Sequence, residues 1–532
     1  MKKDKKHKNI FKVYVMLVLT LPILGCSKEV NKNSNNDANT NTVVEIVEQG
    51  EDMASNNEEK YVEALSPIKN PMDHNPLMTQ SFSADPYALV FEGRVYLYLT
   101  GDKYMYEADG SIKTNNYSNI DTIHVISSAD LVNWTDHGEI KAAGKEGAAN
   151  WGNNSWAPAA CVKIIDGKPK FFLYFANSGN GIAVLTADSP IGPFVDPLGE
   201  AIVSRNTPTC AEVTWLFDPA VLVDDDGQGY LYFGGGVPSP DKAQNPGTAR
   251  VAKLTDDMIH LAEDPVPIEN VLYLFEDSGI NKVGDKYIYS YCSNFDVPEG
   301  GCEGYGFGNG EIIIMSSDSP MGSFKTERSI LKNPGSLFKY GGNNHHCMFE
   351  FEGKWYVTYH ASLIEEKLGE YKGYRSVNID EIKIGEDGLF DNARGTKEGV
   401  SQVCAFNPYK LTTFTTMANQ AGINLELDER VDNEEKLVVK VNEQGAFIQI
   451  SGADFEAGAS KCTVNVSAPF GGSISIRTKY LNSKDCGRVD LEENKDYKDY
   501  EINLLENISG ENDFYFVFEG KDLMLNTFVF AH

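Results

Sequence analysis

The stretch GRVYLYLT, residues 93–100, is the first of five similar runs that decide the fold. Each run begins with a glycine and continues as an aromatic-rich segment; the other four are GKPKFFLYFA (167–176), GQGYLYFGG (227–235), GDKYIYSYC (284–292) and GKWYVTYHA (353–361). Aromatic residues favour strands, and a glycine before them is typical of a turn. Five β units at this spacing predict a five-bladed β-propeller, in which each unit is one small sheet around a common axis.

One position, eight to ten residues before each of these glycines, holds several ionisable side chains. Its occupants in chain order are Asp85, Ala157, Asp218, Glu276 and His345. Equivalent positions of neighbouring blades lie near one another around the axis of a propeller. The repeat therefore predicts that two aspartates, one glutamate and one histidine from distant parts of the chain meet at one place.

The carboxyl groups at this position have different neighbours, which predicts different protonation states. Leu274 and Phe275 precede Glu276, and apolar surroundings raise the pKa of a carboxyl group, so we expect Glu276 to hold a proton near neutral pH. Asp85 lies in the more polar stretch SADPY and is expected to stay ionised. Hydrolysis of a glycosidic bond requires one such acid and one such base. Asp218 is expected to orient the acid and to influence its pKa.

Four further side chains near the predicted pocket are candidates for binding. His345 is expected to be a ligand to an ion on the axis or a catalytic base, and a hydrogen-bonded histidine of the core is the alternative. Trp156 and Trp215 stand close before the repeat position of their blades, where an aromatic face could pack on a sugar ring; for Trp215, packing between blades is the alternative. Arg375 follows the strands of the fifth unit, and its guanidinium group could bind sugar hydroxyl groups; a surface or ion-paired arginine is the alternative.

Residues 67–410 resemble glycoside hydrolase family 43, and within it the arabinoxylan arabinofuranohydrolases. The segments that carry the resemblance are ADPYALVFEGRVYLY, SWAPAA, TWLFDPAVLVDDDG, YLYFGGG, FEDSGI, GGNNHH and GYRS. The resemblance implies a five-bladed propeller and hydrolysis with inversion of configuration. It also implies that Asp85 is the general base, Glu276 the general acid, and Asp218 the residue that modulates and orients the acid.

The same resemblance implies a calcium ion in the axial channel, with His345 as its ligand, and a sugar pocket lined by Arg375 and Trp156. The implied substrate is arabinoxylan or a related plant cell-wall polysaccharide. β-Xylosidase and arabinan hydrolase activities use the same carboxyl groups and remain alternatives. A non-catalytic glycan-binding lipoprotein of the cell surface is an alternative from another class.

The pattern changes after residue 410 to short runs in which apolar residues alternate with polar ones, as in KCTVNVSA (461–468). Such alternation predicts antiparallel strands, so we expect residues 411–532 to form a β-sandwich of the jelly-roll type. The segments ANQAGINLE, DFEAGASKCTVNVSAPFGGSISIR and NDFYFVFEGKDLMLNTFVF resemble a family 6 carbohydrate-binding module. The candidates for an aromatic sugar platform in this domain are Tyr497, Tyr500 and Phe447.

The N-terminal residues predict secretion and anchoring. A lysine-rich start precedes an apolar run (13–24) that is too short to span a membrane well and ends in Ile23-Leu24-Gly25-Cys26. This pattern is typical of a bacterial lipoprotein signal, residues 1–26, with a lipid on Cys26; an ordinary signal peptide cleaved near Gly25 is the alternative. Residues 27–66 are rich in Asn, Glu, Ser and Thr and are expected to form a disordered tether. We therefore expect a secreted protein whose only contact with a membrane is this lipid on the bacterial cell surface.

Charge and cysteine content exclude two further functions. The formal net charge is −30, whereas binding to nucleic acid requires a basic surface, so no nucleic-acid partner is expected. The spacing of the cysteines after Cys26 matches no zinc motif. Cys292 and Cys302 could pair across a loop, and buried free thiols are the alternative.

Overall fold

The structure is a computed structural model that describes residues 62–432 and 435–532. The signal segment 1–26 and most of the predicted tether lie outside the described residues. Strands dominate the described ranges, where the helices are α1 (Pro334–Leu337), α2 (Leu363–Leu368) and a 3₁₀ turn (Pro240–Lys242). None of these helices is long and apolar enough to cross a membrane.

Five antiparallel sheets follow one another along the chain and form the blades of the predicted propeller. Blade 1 contains β1 (Phe82–Phe91), β2 (Arg94–Asp102), β3 (Thr122–Ser128) and β4 (Trp134–Lys141). Blade 2 contains β5 (Trp156–Ile165), β6 (Lys168–Ala176), β7 (Gly181–Ala187) and β8 (Val203–Ser204). Blade 3 contains β9 (Ala220–Val223), β10 (Gly229–Phe233), β11 (Arg250–Lys253) and β12 (Val266–Pro267). Blade 4 contains β13 (Leu274–Val283), β14 (Lys286–Ser293), β15 (Ile312–Ser317) and β16 (Lys325–Leu331). Blade 5 contains β17 (His346–Phe351), β18 (Lys354–Ala361) and β19 (Ser376–Ile382).

The five glycines of the repeat lie in the turns that join the first two strands of each blade. All five have positive φ angles, between 58° and 81°, which glycine adopts without steric cost. The aromatic-rich runs after them are the second strands β2, β6, β10, β14 and β18. Their inward-facing tyrosines are fully buried and fill the space between blades; these are Tyr98, Tyr174, Tyr232, Tyr289 and Tyr359.

The chain that leads into blade 1 also covers the open edge of blade 5. The backbone N–H of Leu77 donates to the carbonyl of Val377 in β19, at 2.8 Å. The side chain of Asn75 pairs with Ile379 in both directions, accepting from its N–H at 2.8 Å and donating to its carbonyl at 2.9 Å. The ring is therefore closed partly by residues that precede the first strand.

The residues after blade 5 build the second domain, a nearly closed β-sandwich, so the predicted order of propeller and sandwich is confirmed. One layer contains, in spatial order, β22 (Asn419–Ala421), β25 (Phe447–Asp454), β30 (Glu511–Gly520), β27 (Gly472–Thr478) and β28 (Gly487–Leu491). The other contains β29 (Asn494–Ile508), β26 (Ala459–Ala468), β31 (Met524–Ala531), β24 (Leu437–Val441) and β23 (Ile423–Leu427). The short strand β20 (Thr412–Thr413) pairs with β31, and Gly487 pairs with Leu504 where the layers meet.

The linker between the domains contributes a strand to the propeller. β21 (Thr416–Met417) pairs with β4 and becomes the fifth strand of blade 1. The strands on either side of it, β20 and β22, belong to the sandwich. The chain therefore passes from the sandwich to blade 1 and back within ten residues, 412–421.

The predicted aromatic platform of the sandwich was wrong for two of its three residues. Phe447 and Tyr500 are buried in the core, because these positions of β25 and β29 face inward. Tyr497 is half-buried; its hydroxyl group donates to Asp428 at 2.8 Å, and the guanidinium group of Arg430 lies 5.1 Å from its ring.

Two other predictions also require correction. The predicted tether extended to residue 66, but Val62 is already buried and its carbonyl accepts a hydrogen bond from Arg477 at 2.6 Å. The N–H of Leu65 donates to the carbonyl of Gly445, so residues 62–66 pack against the sandwich. The possible pairing of Cys292 with Cys302 is not formed and the alternative holds, since these two cysteines are free and buried, as are most of the cysteines in the described ranges.

Candidate active site

A strained backbone position opens the first strand in four of the five blades. Four residues there have φ between +38° and +70°: Asp85, Ala157, Asp218 and Asp277. This conformation costs a residue with a side chain roughly 1–2 kcal/mol. In blades 1, 2 and 4 the pairing with the second strand also shifts at this point, as at a β-bulge. The bulges bring these residues to the propeller axis, and such strain is typical of functional sites.

The predicted register of Glu276 was wrong by one residue. Asp277 has the positive φ and occupies the repeat position, whereas Glu276 pairs with the second strand as Trp156 does in blade 2. The reason lies in the turns. Gly93 is the second residue of its two-residue turn and Gly284 is the first, so a count from the glycine differs by one between these blades. The side chain of Glu276 nevertheless reaches the same pocket.

A cavity of about 580 Å³ opens where the bulges meet. All seven residues that the sequence singled out for the pocket line it: Asp85, Trp156, Trp215, Asp218, Glu276, His345 and Arg375. The three carboxyl groups lie deep in it, with side chains at most 8% exposed. The propeller therefore brings the predicted residues together, and their contacts decide what each can do.

Asp85 contacts an arginine and lies beside two histidines. Arg375 donates from Nη1 to Asp85 Oδ1 at 2.9 Å, and His360 Nδ1 lies 3.0 Å from the same oxygen. His345 Nδ1 is 3.7 Å from it. Burial acts to raise the pKa of Asp85, but the opposing influence of Arg375 and the two histidines outweighs burial and holds that pKa far below its usual value. Asp85 is therefore ionised.

The pKa values of Asp218 and Glu276 are shifted in the opposite direction, upwards. Burial raises the pKa of both well above the usual value, and negative neighbours raise it further, Asp85 in the case of Asp218 and Asp218 in the case of Glu276. Oε1 of Glu276 is buried without a hydrogen-bond partner. The N–H of Asp277 donates to Asp218 Oδ2 at 2.9 Å, which fixes that carboxyl group. The pocket thus holds an ionised Asp85 and a protonated Glu276.

His345 lies below the carboxyl groups, in contact with Asp277. Its Nε2 is 3.0 Å from Asp277 Oδ1, and its Nδ1 faces Asp85 and Asp218 at 3.7 and 3.9 Å. Burial lowers the pKa of His345 in spite of these carboxylates, so the imidazole is predominantly neutral. His346 binds the other oxygen of Asp277 at 2.5 Å. Within the described ranges, no three His, Cys, Asp or Glu side chains are arranged to hold a metal ion by themselves.

Arg375 lines the pocket as predicted, but most of its hydrogen bonds go to carboxylates. Its Nε and Nη2 donate to the two oxygens of Asp102 at 3.0 and 2.9 Å, and its Nη1 donates to Asp85. The guanidinium group also lies 5.0 Å from the ring centre of Tyr117. Three of its five N–H groups are thus used within the protein.

Comparison with known proteins identifies the family. The sequence profile of glycosyl hydrolases family 43 matches residues 74–390, more than half of the chain. The chain belongs to glycosyl hydrolase family 43. An arabinoxylan arabinofuranohydrolase of Paenibacillus polymyxa is 45% identical to it over 468 residues, which are 85% of this chain and 73% of that protein. One from Bacillus subtilis (strain 168) is 44% identical over 434 residues, covering 78% and 83% respectively.

A solved structure extends this similarity to three dimensions. The crystal structure of a glycoside hydrolase family 43 arabinoxylan arabinofuranohydrolase from Bacillus subtilis, in complex with cellotetraose, matches with a TM-score of 0.84 and 41% identity. The match covers 88% of this chain and 99% of that one. The propeller alone could not account for this coverage, so the family 43 chain shares the sandwich as well.

Aromatic side chains form one wall of the pocket in this family 43 enzyme. Trp156 is partly exposed, and its indole N–H donates to the carbonyl of Tyr117 at 3.0 Å. Trp215 packs edge-on against Phe217 and Phe275, with ring centres 5.2 and 5.3 Å apart, and also lines the cavity. Trp215 therefore both lines the pocket and packs between blades, as the two alternatives from the sequence predicted.

Two residues that contact the predicted site were missed from the sequence. Asp102 lies at the end of β2 and His360 near the end of β18, where each holds a predicted site residue. His360 lies at the far end of its glycine-aromatic run and Asp102 lies two residues beyond the end of its run, whereas the prediction considered only the position before the glycine. Including the ends of these runs and the residues just after them as a second axial position would have found both.

Proposed function

We propose that this enzyme removes α-L-arabinofuranosyl side chains from arabinoxylan, with inversion of configuration at the anomeric carbon. The observation that carries the proposal is the presence in one pocket of an ionised Asp85 and a protonated Glu276. An inverting glycosidase needs both states, because the base deprotonates a water molecule while the acid protonates the leaving oxygen. Similarity to arabinoxylan arabinofuranohydrolases over most of the chain supports this choice of substrate.

Each carboxyl group has one part in the proposed reaction. Asp85 takes a proton from a water molecule, whose oxygen attacks the anomeric carbon from the face opposite the leaving group. Glu276 gives its proton to the glycosidic oxygen as that bond breaks. Asp218 keeps Glu276 protonated through its proximity. This reaction requires the carboxyl groups of Asp85 and Glu276 to stand roughly 6.5–9.5 Å apart, which leaves room for the water.

The sugars released from arabinoxylan test the proposal. We expect the purified full-length chain to release arabinose as the only sugar, initially as the β-anomer in proton NMR spectra. Glu276→Gln should abolish release, while Glu311→Gln, a buried glutamate that pairs with Lys332 away from the pocket, should leave it unchanged. Xylose or oligosaccharides would indicate a β-xylosidase or an arabinan hydrolase. No release from this or related polysaccharides would favour a glycan-binding lipoprotein.

A calcium ion held by His345 in the axial channel is part of the proposal. Asp277 Oδ1 is buried and makes no hydrogen bond, its 3.0 Å contact with His345 Nε2 apart. An oxygen and an imidazole nitrogen are a partial donor set for Ca²⁺, which water molecules would complete. A bound ion would supply positive charge beside the carboxyl groups. Metal analysis should find stoichiometric calcium in the wild type and a clear loss in His345→Ala; equal content would contradict the assignment.

Anchoring through Cys26 is also proposed, from the signal pattern alone. Residue 26 lies outside the described part of the chain, and the tether is expected to connect it to the packed residues from Val62 onward. An anchored enzyme would stay at the cell surface and act on plant cell-wall polysaccharide outside the cell. Cys26→Ser should shift the protein from the membrane fraction to the soluble fraction, and an unchanged distribution would contradict lipid attachment.

A further inference from the structure

A buried carboxylate outside the proposed catalytic set holds Arg375. The side chain of Asp102, the last residue of β2, is fully buried. It accepts from Arg375 Nε and Nη2 at 3.0 and 2.9 Å, and from the Arg375 backbone N–H at 3.1 Å. Two parallel bonds between a guanidinium group and a carboxylate fix the orientation of the arginine as well as its position.

With one edge of the guanidinium group bound in this way, the remaining terminal nitrogen has a fixed direction. Nη1 of Arg375 points at Asp85 Oδ1, at 2.9 Å. The face of the group packs on the ring of Tyr117, which restricts its movement out of the plane. Arg375 is only 5% exposed, so solvent does not compete strongly for these bonds.

The two oxygens of Asp85 consequently differ. Oδ1 lies within 3.0 Å of both Arg375 Nη1 and His360 Nδ1, whereas no hydrogen bond from the described residues reaches Oδ2. A carboxylate oxygen that already accepts a hydrogen bond from a guanidinium group and contacts an imidazole nitrogen is a weaker proton acceptor than its partner. The free oxygen is therefore the one available to a water molecule in the pocket.

We propose that Asp102 is a positioning residue of the hydrolytic reaction, which directs Arg375 onto Oδ1 of Asp85 and leaves Oδ2 as the proton acceptor. This inference rests on the proposed function. In the step concerned, an O–H bond of water breaks and its proton goes to Oδ2, while the water oxygen bonds to the anomeric carbon. The glycosidic bond breaks, and its oxygen takes the proton of Glu276.

A positioning role explains the buried ion pair between Asp102 and Arg375 better than a purely structural role does. Removing two charges from water is costly, and apolar residues of similar size often stabilise a fold equally well. Here the pair lies between a pocket wall and the candidate base, where its geometry determines the orientation of Asp85.

Asp102→Asn tests the proposal, because it keeps the shape but removes the charge and one of the two parallel bonds. We expect kcat to fall about ten-fold to a hundred-fold, as for a small misplacement of a catalytic group, with KM little changed. The loss should be similar for an arabinoxylan oligosaccharide and for a nitrophenyl arabinofuranoside, since a good leaving group compensates for a weak acid but not for a misplaced base. Asp130→Asn is the matched control, a buried carboxylate bonded to Ser128 and Asn133 away from the pocket.

A double-mutant cycle separates positioning from a general loss of stability. If Asp102 acts through Arg375, then Asp102→Asn and Arg375→Lys together should lower kcat no more than Arg375→Lys alone. Additive losses would overturn the proposal, as would a wild-type kcat in Asp102→Asn. If Asp102→Asn fails to fold, Asp102→Glu is used, since it keeps the charge but displaces Arg375; a wild-type kcat in that variant would equally overturn it. A wild type without glycosidase activity would reject the proposed function itself, and this inference with it.

Discussion

At the scale of the residue, three neighbouring carboxyl groups acquire different protonation states because their partners differ. Burial acts on all three in the same direction. Asp85 is ionised because Arg375 and two histidines outweigh its burial, while Glu276 forms no ion pair with any cation of the described residues and keeps its proton. The apolar residues before Glu276 made its high pKa predictable, whereas the arginine and the two histidines around Asp85 come from distant parts of the chain.

Asp218→Asn should narrow the pH range of activity from its basic side. Glu276 must be protonated, so activity falls as pH rises through its pKa. Burial is the largest cause of that raised pKa and would remain, but the charge of Asp218 is the next and would be lost. We expect the basic limb of the kcat/KM profile to move to lower pH. An unchanged limb would contradict the role of Asp218.

Arg375→Gln should change the acidic limb of the pH profile of kcat/KM. Asp85 must be ionised, so activity is lost as pH falls through its pKa, which burial would raise and Arg375 lowers. Removing the guanidinium charge should raise that pKa and move the acidic limb of kcat/KM to higher pH. The same profile measured for Asp130→Asn serves as the control. A limb that stays in place would show that Arg375 does not set the charge of Asp85.

At the scale of the element, turn geometry explains both the success and the error of the sequence prediction. The glycines and aromatic runs predicted the second strands of all five blades, because a positive φ at the turn and a buried strand leave clear signals. The same count misplaced Glu276, since Gly93 and Gly284 occupy different positions of their turns. The bulge at Asp85 and the positive φ angle of Asp218 have no comparable signal in the sequence.

Replacing a turn glycine should measure how much the positive φ angle at that position contributes to the free energy of unfolding. Gly93 has φ 71°, and no atom lies within 4 Å of where a Cβ would be. Gly93→Ala should therefore lower the free energy of unfolding by about 1 kcal/mol through backbone strain rather than through a clash. Gly93→Asn should recover part of that loss, because asparagine tolerates positive φ. Equal stability of the wild type and both variants in thermal unfolding would contradict this account.

At the scale of the whole molecule, the contact between the domains was beyond prediction from sequence. Repeats predicted the propeller and alternation predicted the sandwich, but the residues between the domains belong to neither pattern. Lys69 is an example. It is buried near this contact, donates to the carbonyl of Pro76 at 2.7 Å, and its own carbonyl accepts from Asn419. Phe447 and Tyr500 were misassigned for a related reason, since alternation alone does not tell which face of a strand is buried.

Lys69 should make stability depend on pH. Burial lowers its pKa to about 7, with Asp73 acting weakly in the other direction, whereas an unfolded lysine titrates near ~10.4. The buried charge of Lys69 therefore destabilises the folded protein fully below pH 7. Above pH 7 the free energy of unfolding rises by about 1.4 kcal/mol per pH unit as the folded lysine loses its proton. The stability of Lys69→Met relative to the wild type should decrease steadily from pH 7 to about pH 9 in chemical unfolding. A constant difference would show that Lys69 stays charged in the folded protein.

The short strand β21 couples the structural integrity of the propeller to that of the sandwich. Because β21 closes the edge of blade 1 while its neighbours β20 and β22 belong to the sandwich, the domains cannot be pulled apart without stripping a strand from the propeller. Ending the chain at residue 410 would leave β4 with an unpaired edge, and such edges are templates for aggregation. The sandwich thus protects the catalytic domain from aggregation, whatever its affinity for sugar. It holds β21 on the edge of blade 1, so that a strand of another molecule cannot pair there.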